Sequence, residues 1–472
     1  MKKLFFFVIP GLVVLANYLI LLTINNHAVE GLLMDNSSPF LTPLLNEPYP
    51  GDGNTSHSTS ETPADNQNSS DLFSACLLVM DENHRLPEWL AYHYFMINLR
   101  HVVVLVDPAS STSPKDVTER WNGLIQFDVW TDEMIGFNET VAVSASGAIR
   151  VKGSRYKGKD QGLRVHAHRL RQRFFYKKCA AHLQRQKRSW TAFYDVDEYI
   201  YIDPDEVSNA MERMKQPGCI VKFIHEMQKA DPNEPVAKLP LPYRNSANSG
   251  CIMIPRTYFG ATESKQRNKS GHLPSCLNAT DFETLRYFHR TSHDDFDNNG
   301  RGKSLLHISS VSSIESVGDR GVHGLVKSCK PPQSLHSPLR LRHYLGRWDV
   351  YSSRRADPRK GGFRSLQHYQ YRAEFGKDQP SDDSVMPWLL GFCNQMQNNE
   401  TLILRLFDGV GRLPPSSHDA TNSQWSLSPL QIRDLLQGKK AEKTNTFSNW
   451  LKAHYKVESY TNGSVEVVRR TQ

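Results

Sequence analysis

Two aspartates, Asp195 and Asp197, lie one residue apart directly after an apolar run, Trp190–Tyr194. Such a pair can bind one hard divalent cation, because Mg²⁺ and Mn²⁺ prefer oxygen ligands and phosphate oxygens complete their coordination. A cation held there would neutralise a diphosphate leaving group while a sugar–phosphate bond breaks. The alternative interpretation is a solvated acidic turn. The position at the end of a predicted buried strand favours metal binding, since buried polar groups are costly unless they bind something.

The elements around these aspartates predict an α/β domain with a mostly parallel, twisted sheet, because apolar runs typical of strands alternate with segments of helical character. We predict strands at 75–79, 101–106, 124–130, 190–194 and 219–224, and helices at 86–97 and 163–184. Ligands of such sheets bind at the carboxyl ends of the strands. Asp107 and the segment Asp195–Glu198 both fall at such ends.

The later part of the chain is less regular. Between residues 225 and 350, Pro, Gly, His and Asn are frequent, and we expect loops and short strands that complete the site. Residues 350–400 have mainly helical character, and residues 430–455 predict one or two further helices.

The N-terminus predicts a membrane anchor. Lys2 and Lys3 precede an uncharged, mostly apolar run, Leu4–Ile24, and about 20 helical residues span a hydrocarbon core of about 30 Å. A cleavable signal peptide is the alternative, although its apolar region is usually only about 7–15 residues long. Because the positive charges precede the run, we expect a cytosolic N-terminus and a lumenal remainder, which is a single-pass type II topology in a membrane of the secretory pathway.

The chain divides into four predicted parts. Residues 1–24 form the cytosolic tip and the membrane helix, and residues 25–71 form a flexible lumenal stem rich in Ser, Thr, Asn, Pro and Gly. Residues 72–400 form the α/β domain, and residues 401–472 form a helical extension. The eight N-x-S/T triplets of the chain support a lumenal location for the last three parts.

The amino-acid composition excludes two classes of protein. Apolar residues make up 39% and charged residues 22% of the chain, which excludes a multi-pass membrane protein and a wholly disordered one. The net charge of +8 permits an anionic partner such as a nucleotide or an acidic glycan. Nucleic acid is not expected in the lumen. The basic residues within 164–188 form either the solvated face of an amphipathic helix or a positive field near a diphosphate.

Cysteine usage gives a further constraint. The seven cysteines include no CxxC pair, which argues against a structural zinc cluster. A lumenal chain can form disulfides. Because seven is odd, at least one thiol must stay free or pair with another chain.

Several blocks of the sequence, taken in order, resemble glycosyltransferase family 92 and related family 2-like glycosyltransferases. The segment 190–200 resembles the family signature W-x-x-F-x-D-x-D-E-[FY]-[IL]. The other similar blocks are Ala75-Cys76, Asp81-Glu82, Glu88-Trp89-Leu90, Tyr92-His93, Val106–Ser110, Phe259-Gly260, Gly302–Ser304, His323 and His343-Tyr344. The resemblance covers about residues 73–350. The chain departs from the common pattern at His84–Pro87 and in a basic insert at 145–165.

The resemblance implies a GT-A fold and inverting transfer from a nucleotide-diphosphate sugar, UDP-linked, with Mn²⁺ or Mg²⁺. Asp197 would be the chief metal ligand, and Asp195 would contact the metal or the ribose. His343 would be another metal ligand, and its alternative role is packing beside Tyr344.

Further residues acquire roles from the same resemblance. Asp107 would lie near the nucleoside, or else form a turn before Pro108. Lys303 would pair with a phosphate, or else be an ordinary surface lysine. Glu88 and His93 would be structural and would fix the first helix on the sheet.

An inverting transferase also needs a base that accepts the proton of the acceptor hydroxyl, normally an Asp or Glu. The candidates are Glu263, Asp281, Glu283, Asp294 and Asp295. The predicted function is transfer of a sugar, galactose being the family's leading precedent, to a glycan acceptor. The alternatives are a sugar-binding relative without turnover and a metal-dependent phosphodiesterase that uses the same carboxylates.

Overall fold

The computed structural model describes residues 73–140, 142, 159–229, 247–263, 277–292, 299, 302–311, 313–319, 321–326, 329, 337–353, 365–379, 381–412, 427, 432, 436, 446–459 and 465–470. The predicted membrane helix and stem, residues 1–24 and 25–71, lie outside this range. Within the described range, no helix combines the length and the apolar character that crossing a membrane requires.

The described strands form a mixed, mostly parallel central sheet and two smaller sheets. The strands are β1 (Phe73–Val79), β2 (Leu99–Val106), β3 (Gln126–Trp130), β4 (Trp190–Ala192), β5 (Glu198–Ile202), β6 (Cys251–Ile254), β7 (Arg256–Phe259), β8 (Lys303–His307), β9 (Leu339–Tyr344), β10 (Tyr455–Ser459) and β11 (Val465–Arg469). The central sheet has six strands in the order β3-β2-β1-β4-β8-β6, in which β8 is antiparallel to both its neighbours. The second sheet has the order β5-β9-β7, and β10 and β11 form an antiparallel hairpin. The predicted α/β class with a mostly parallel sheet is therefore confirmed.

The helices connect and cover these strands. They are α1 (Leu86–Met96), α2 (Lys115–Arg120), α3 (Asp132–Ile135), α4 (Lys159–Arg185), α5 (Ala210–Arg213), α6 (Cys219–Lys229), α7 (Glu283–Arg286), α8 (Trp348–Ser353), α9 (Leu366–Ala373), α10 (Pro387–Gln395), α11 (Glu400–Phe407) and α12 (Thr446–His454). The predicted helices 86–97 and 163–184 correspond to α1 and α4.

Both faces of β1 and β2 are buried, which explains why these two strands read as mostly continuous apolar runs. On β2, Val102 and Val104 pack into the core that includes α1, α10 and α11. Val103 and Leu105 point to the opposite face, into the core that includes α4. The period of two along the strand thus supplies two hydrophobic layers.

The helix α1 is fixed to the sheet by polar contacts as well as by packing. The indole N–H of Trp89 donates to the carbonyl of Glu198 at 3.1 Å, and the Tyr92 hydroxyl donates to the carbonyl of Ile200 at 2.7 Å. His93 is completely buried, with Nδ1 2.9 Å from the carbonyl oxygen of Trp89. These contacts match the structural role predicted for this part of the chain.

His93 makes the stability of the fold sensitive to acid. Burial lowers the pKa of His93 to about 3, so between pH 6.5 and 3 the unfolded chain binds a proton that the native chain does not. Stability is therefore lost as the pH falls through this window, at up to about 1.4 kcal/mol per pH unit. Urea unfolding at several pH values should show a smaller loss in His93→Leu than in the wild type. Equal slopes in the two proteins would contradict the prediction, and His225→Leu, at a partly exposed histidine, is the control.

Two elements differ from the sequence prediction. The segment 219–224, predicted as a strand, belongs to the helix α6, whose buried side chains include Ile220, Phe223, Ile224 and Met227. This spacing places them on one face of a helix. The end of the chain, predicted as helical only, adds the hairpin β10–β11 after the helix α12.

Two disulfides tie helical and loop segments to the central sheet. Cys76 on β1 is bonded to Cys179 on α4, and Cys251 on β6 is bonded to Cys329. Among the described residues, Cys219 is buried and is not part of a disulfide. This agrees with the expectation that at least one thiol stays unpaired.

Candidate functional site

The candidate site lies where β4 ends and the chain turns into β5. The turn carries Asp195 and Asp197 at the carboxyl end of a central strand, as predicted. Because β8 is antiparallel to β4, its first residue, Lys303, lies at the same end of the sheet. The strand β9 pairs with β5 and places His343 directly opposite Glu198.

Lys303 is the cation beside Asp195. Its Nζ lies 2.7 Å from Oδ2 of Asp195 and 3.3 Å from Oε2 of Glu198. The side chain of Lys303 is 1% exposed, so it is not an ordinary surface lysine, whereas that of Asp195 is 45% exposed. Burial by itself raises the pKa of Asp195, but the Lys303 ammonium outweighs that effect and holds the pKa of the carboxyl below its usual range. Asp195 is therefore an ionised group within reach of solvent.

Glu198 holds the turn that carries Asp195 and Asp197 by a hydrogen bond to its backbone. Its Oε2 accepts a hydrogen bond from the backbone N–H of Asp195 at 2.9 Å. Its side chain is 1% exposed. Burial raises the pKa of Glu198 to about 7, and the Lys303 ammonium opposes that shift.

Asp197 lies between an imidazole and a guanidinium. Its Oδ1 is 3.5 Å from Nε2 of His343, and its Oδ2 is 3.8 Å from Nη1 of Arg85. The ring of His343 packs against Tyr258, with 4.5 Å between ring centroids. Tyr344 is the next residue of the strand and points to the opposite face. His343 is thus directed at Asp197 and does not pack beside Tyr344.

Arg85 joins Asp197 to a buried carboxylate, Glu283. Its Nε and Nη2 donate to Oε1 of Glu283 at 2.9 and 2.7 Å. Glu283 begins α7, and its backbone N–H donates to the carboxylate of Glu88 on α1 at 2.7 Å. Burial raises the pKa of Glu88 to about 7. Since the first turn of α1 and the start of α7 hold one another, the guanidinium has a fixed position beside the aspartate.

Asp197 and His343 fit a divalent cation. Their facing atoms, one oxygen and one nitrogen, are 3.5 Å apart, close to the ~3 Å between adjacent ligands in an octahedral shell with bonds of about 2.1 Å. Burial lowers the pKa of His343 to about 4, against the effect of the Asp197 carboxylate. The ring is therefore neutral at pH 7 and has a lone pair for a metal. In this arrangement Oδ2 of Asp195 is paired with the ammonium of Lys303 and is not one of the two facing atoms.

Asp107 lies at the end of β2 in a separate network. Its Oδ1 accepts from the backbone N–H of Ala109 at 2.9 Å, which forms the predicted turn. Its Oδ2 faces α4, 3.4 Å from Nη1 of Arg171 and 3.6 Å from Nδ1 of His168. Burial raises the pKa of Asp107, but the hydrogen bond from His168 and the charge of Arg171 hold it below its usual range. At least one arginine of the basic helix is thus buried in an ion pair and is not part of a solvated face.

The base candidates are in different surroundings. Glu283 is bound by Arg85, and Glu263 is bound by Arg286. Asp281 ends a short 3₁₀ turn, Ala279–Asp281, and is partly exposed. Asp294 and Asp295 lie outside the described residues. Of the described candidates, Glu283 shares a partner, Arg85, with Asp197.

Sequence reasoning did not assign site roles to Arg85 or Glu198. Glu198 follows the aspartate pair directly, and that adjacency was its only signal. Arg85 is three residues before Glu88, in a segment noted only as a departure from the family pattern. Glu198 contacts Lys303, and Arg85 contacts Asp197 and Glu283. These partners are distant in sequence, so the contacts depend on how strands and helices pack.

No protein-family model matches this chain. No curated protein is significantly similar to it in sequence.

Proposed function

We propose that this protein is a metal-dependent glycosyltransferase with a GT-A fold. It would transfer a sugar from a nucleotide-diphosphate donor, UDP-linked, to a glycan acceptor with inversion. The observation that carries the proposal is the convergence of Asp195, Asp197, His343, Lys303 and Arg85 at the carboxyl end of β4. That end of an α/β sheet is where ligands bind.

The charge balance of the site supports a cationic ligand. Two permanent cations, Lys303 and Arg85, are surrounded by five carboxyl groups, those of Glu82, Asp195, Asp197, Glu198 and Glu283. Several buried like charges are costly unless further positive charge is supplied. Asp197 and His343 would hold Mn²⁺ or Mg²⁺, and the bound ion would neutralise charge on the donor diphosphate.

Lys303 would act on the same diphosphate. Its ammonium is already at the carboxylate beside the metal ligands, 2.7 Å from Asp195. A strongly held cation there attracts phosphate oxygens and stabilises the negative charge that develops on the leaving group. Asp107 remains the candidate for the nucleoside, with its carboxylate held by Arg171 and His168.

The acceptor side requires a base. Glu283 is engaged by Arg85 at 2.7 Å, which suits it to hold that guanidinium in place. Burial raises the pKa of Glu283, and the Arg85 guanidinium opposes that shift. Glu283, Asp294 and Asp295 remain the candidates for the base.

The two disulfides accord with a protein of the secretory pathway. Together with the apolar N-terminal run, they support a type II protein of the Golgi membrane with its α/β domain in the lumen.

A product assay tests the proposal. The full-length protein is incubated with Mn²⁺, with UDP-sugars or GDP-sugars and with a panel of glycan acceptors, and the released nucleotide is identified by chromatography. A transferase releases the nucleoside diphosphate, and release increases with an acceptor. Release of the nucleoside monophosphate together with a sugar phosphate would identify a phosphodiesterase instead. Sugar binding without release of any nucleotide would identify a binding protein.

A further inference from the structure

A second group of potential metal ligands lies on the other half of the central sheet. It consists of His101 on β2, Asp128 on β3 and His182 on α4. One ligand atom from each residue lies within 4.8 Å of the other two. His101 is five residues before the end of β2 at Val106, roughly 16 Å along the strand. The group is therefore separate from the turn that carries Asp197.

The three side chains converge on one carboxylate oxygen. Nε2 of His101 and Nε2 of His182 each lie 2.8 Å from Oδ2 of Asp128. The His101 side chain is completely buried, and those of Asp128 and His182 are 26% and 23% exposed. The cluster thus has a rigid base within the protein and an opening toward solvent.

The hydrogen-bonding demands on His182 conflict with one another. Its Nε2 has Oδ2 of Asp128, an acceptor, at 2.8 Å and the side-chain amide nitrogen of Gln186, a donor, at 3.0 Å. One imidazole nitrogen is either a donor or an acceptor and cannot satisfy both neighbours. A cation in place of the proton, together with rotation of the Gln186 amide, removes this conflict, because both imidazoles then present lone pairs to the cation. Rotation of the Gln186 amide would also turn its oxygen toward the cation.

The donor set matches zinc. Two imidazole nitrogens and one carboxylate oxygen are typical Zn²⁺ ligands, with a fourth position open to water or another oxygen. Bonds of about 2.0–2.1 Å in a tetrahedron place ligand atoms about 3.3 Å apart. The two 2.8 Å separations from Oδ2 of Asp128 need to widen by about half an ångström, and the two imidazole nitrogens lie within 4.8 Å of one another. The partly exposed side chains of Asp128 and His182 allow the adjustment.

We propose that His101, Asp128 and His182 bind one zinc ion. The three ligands come from β3, which is the edge strand of the central sheet, from its neighbour β2, and from the C-terminal part of α4. The disulfide between Cys76 and Cys179 already joins α4 to β1. The ion fastens the same helix to the next two strands and protects the edge of the sheet.

Zinc content tests this site independently of the proposed transferase activity. The full-length protein is treated with a chelator, dialysed against micromolar Zn²⁺, and analysed for zinc by mass spectrometry. We expect about one zinc per chain in Asp197→Asn, in which the other proposed metal site is disabled, and no less in the wild type. His182→Ala and Asp128→Ser should bind zinc at least about 100-fold more weakly, because each loses a direct ligand, whereas loss of an outer-shell partner alone costs 10–100-fold. His166→Ala, at a histidine of the same helix outside the cluster, is the matched control.

Three results would overturn the proposal. The first is a wild-type chain that holds no zinc after dialysis, and the second is a His182→Ala variant that holds as much zinc as the wild type. The third is zinc that is lost in Asp197→Asn and kept in His182→Ala, which would assign the zinc to the other site. Circular dichroism of each variant verifies that it is folded. If His182→Ala does not fold, the comparison is made with Asp128→Ser.

Discussion

Asp197→Asn is expected to reduce the rate of sugar transfer by two to three orders of magnitude. The substitution keeps the shape of the side chain but removes the charge that faces His343 at 3.5 Å and Arg85 at 3.8 Å. A metal at this position supplies several kcal/mol of charge stabilisation, and each 1.4 kcal/mol corresponds to about tenfold in rate. Steady-state rates with a saturating UDP-sugar and Mn²⁺ measure the effect.

The matched control is Asp378→Asn, at an exposed aspartate away from the site. It should leave the rate unchanged within about twofold. A fall of less than tenfold in Asp197→Asn, in a protein with normal thermal stability, would remove Asp197 from the metal site.

Lys303→Met is expected to lower the free energy of unfolding by about 3 kcal/mol. Methionine has a similar volume, so the packing is preserved, but Glu198 is then left buried beside Asp195 without its cation. Removal of one partner of a buried ion pair typically costs about 3–5 kcal/mol, and the exposure of Asp195 reduces that cost here. Urea unfolding monitored by tryptophan fluorescence gives the change.

Two further variants separate the buried pair from ordinary surface charge. Lys377→Met removes the exposed pair with Glu374 and should change stability by less than about 1 kcal/mol. Lys303→Met combined with Glu198→Gln should recover part of the loss, because the uncompensated carboxylate is gone. If Lys303→Met is no more destabilising than Lys377→Met, Lys303 does not hold the site together.

The strands β1 and β2 could be predicted from the sequence because both faces of each strand are buried. Each therefore reads as a mostly continuous apolar run. The prediction of a strand at 219–224 was wrong because five apolar residues in a run of six fit a strand and a buried helix equally well. The helical spacing becomes visible only when the pattern is extended to Met227. The antiparallel placement of β8 has no local signal, since pairing is decided by distant segments.

The candidate site could be predicted only in part for the same reason. Asp195 and Asp197 are adjacent in sequence and follow a strand, so their shared position is a local property. Arg85, Lys303 and His343 reach them from three distant segments. The cluster of His101, Asp128 and His182 likewise spans β2, β3 and α4. A count of cysteines, which argued against zinc, carries no information on such a group.

The most direct test of a metal-dependent nucleotide site at Asp197 is to measure nucleotide binding to the full-length protein through its thermal unfolding. UDP, GDP and CMP are titrated with Mn²⁺ or with EDTA into the wild type, Asp197→Asn and Asp378→Asn. A ligand at about 100 times its dissociation constant adds about 2.7 kcal/mol to the native state. We expect stabilisation by UDP that needs Mn²⁺, persists in Asp378→Asn and disappears in Asp197→Asn. A folded wild type that no nucleotide stabilises with Mn²⁺ would contradict this expectation.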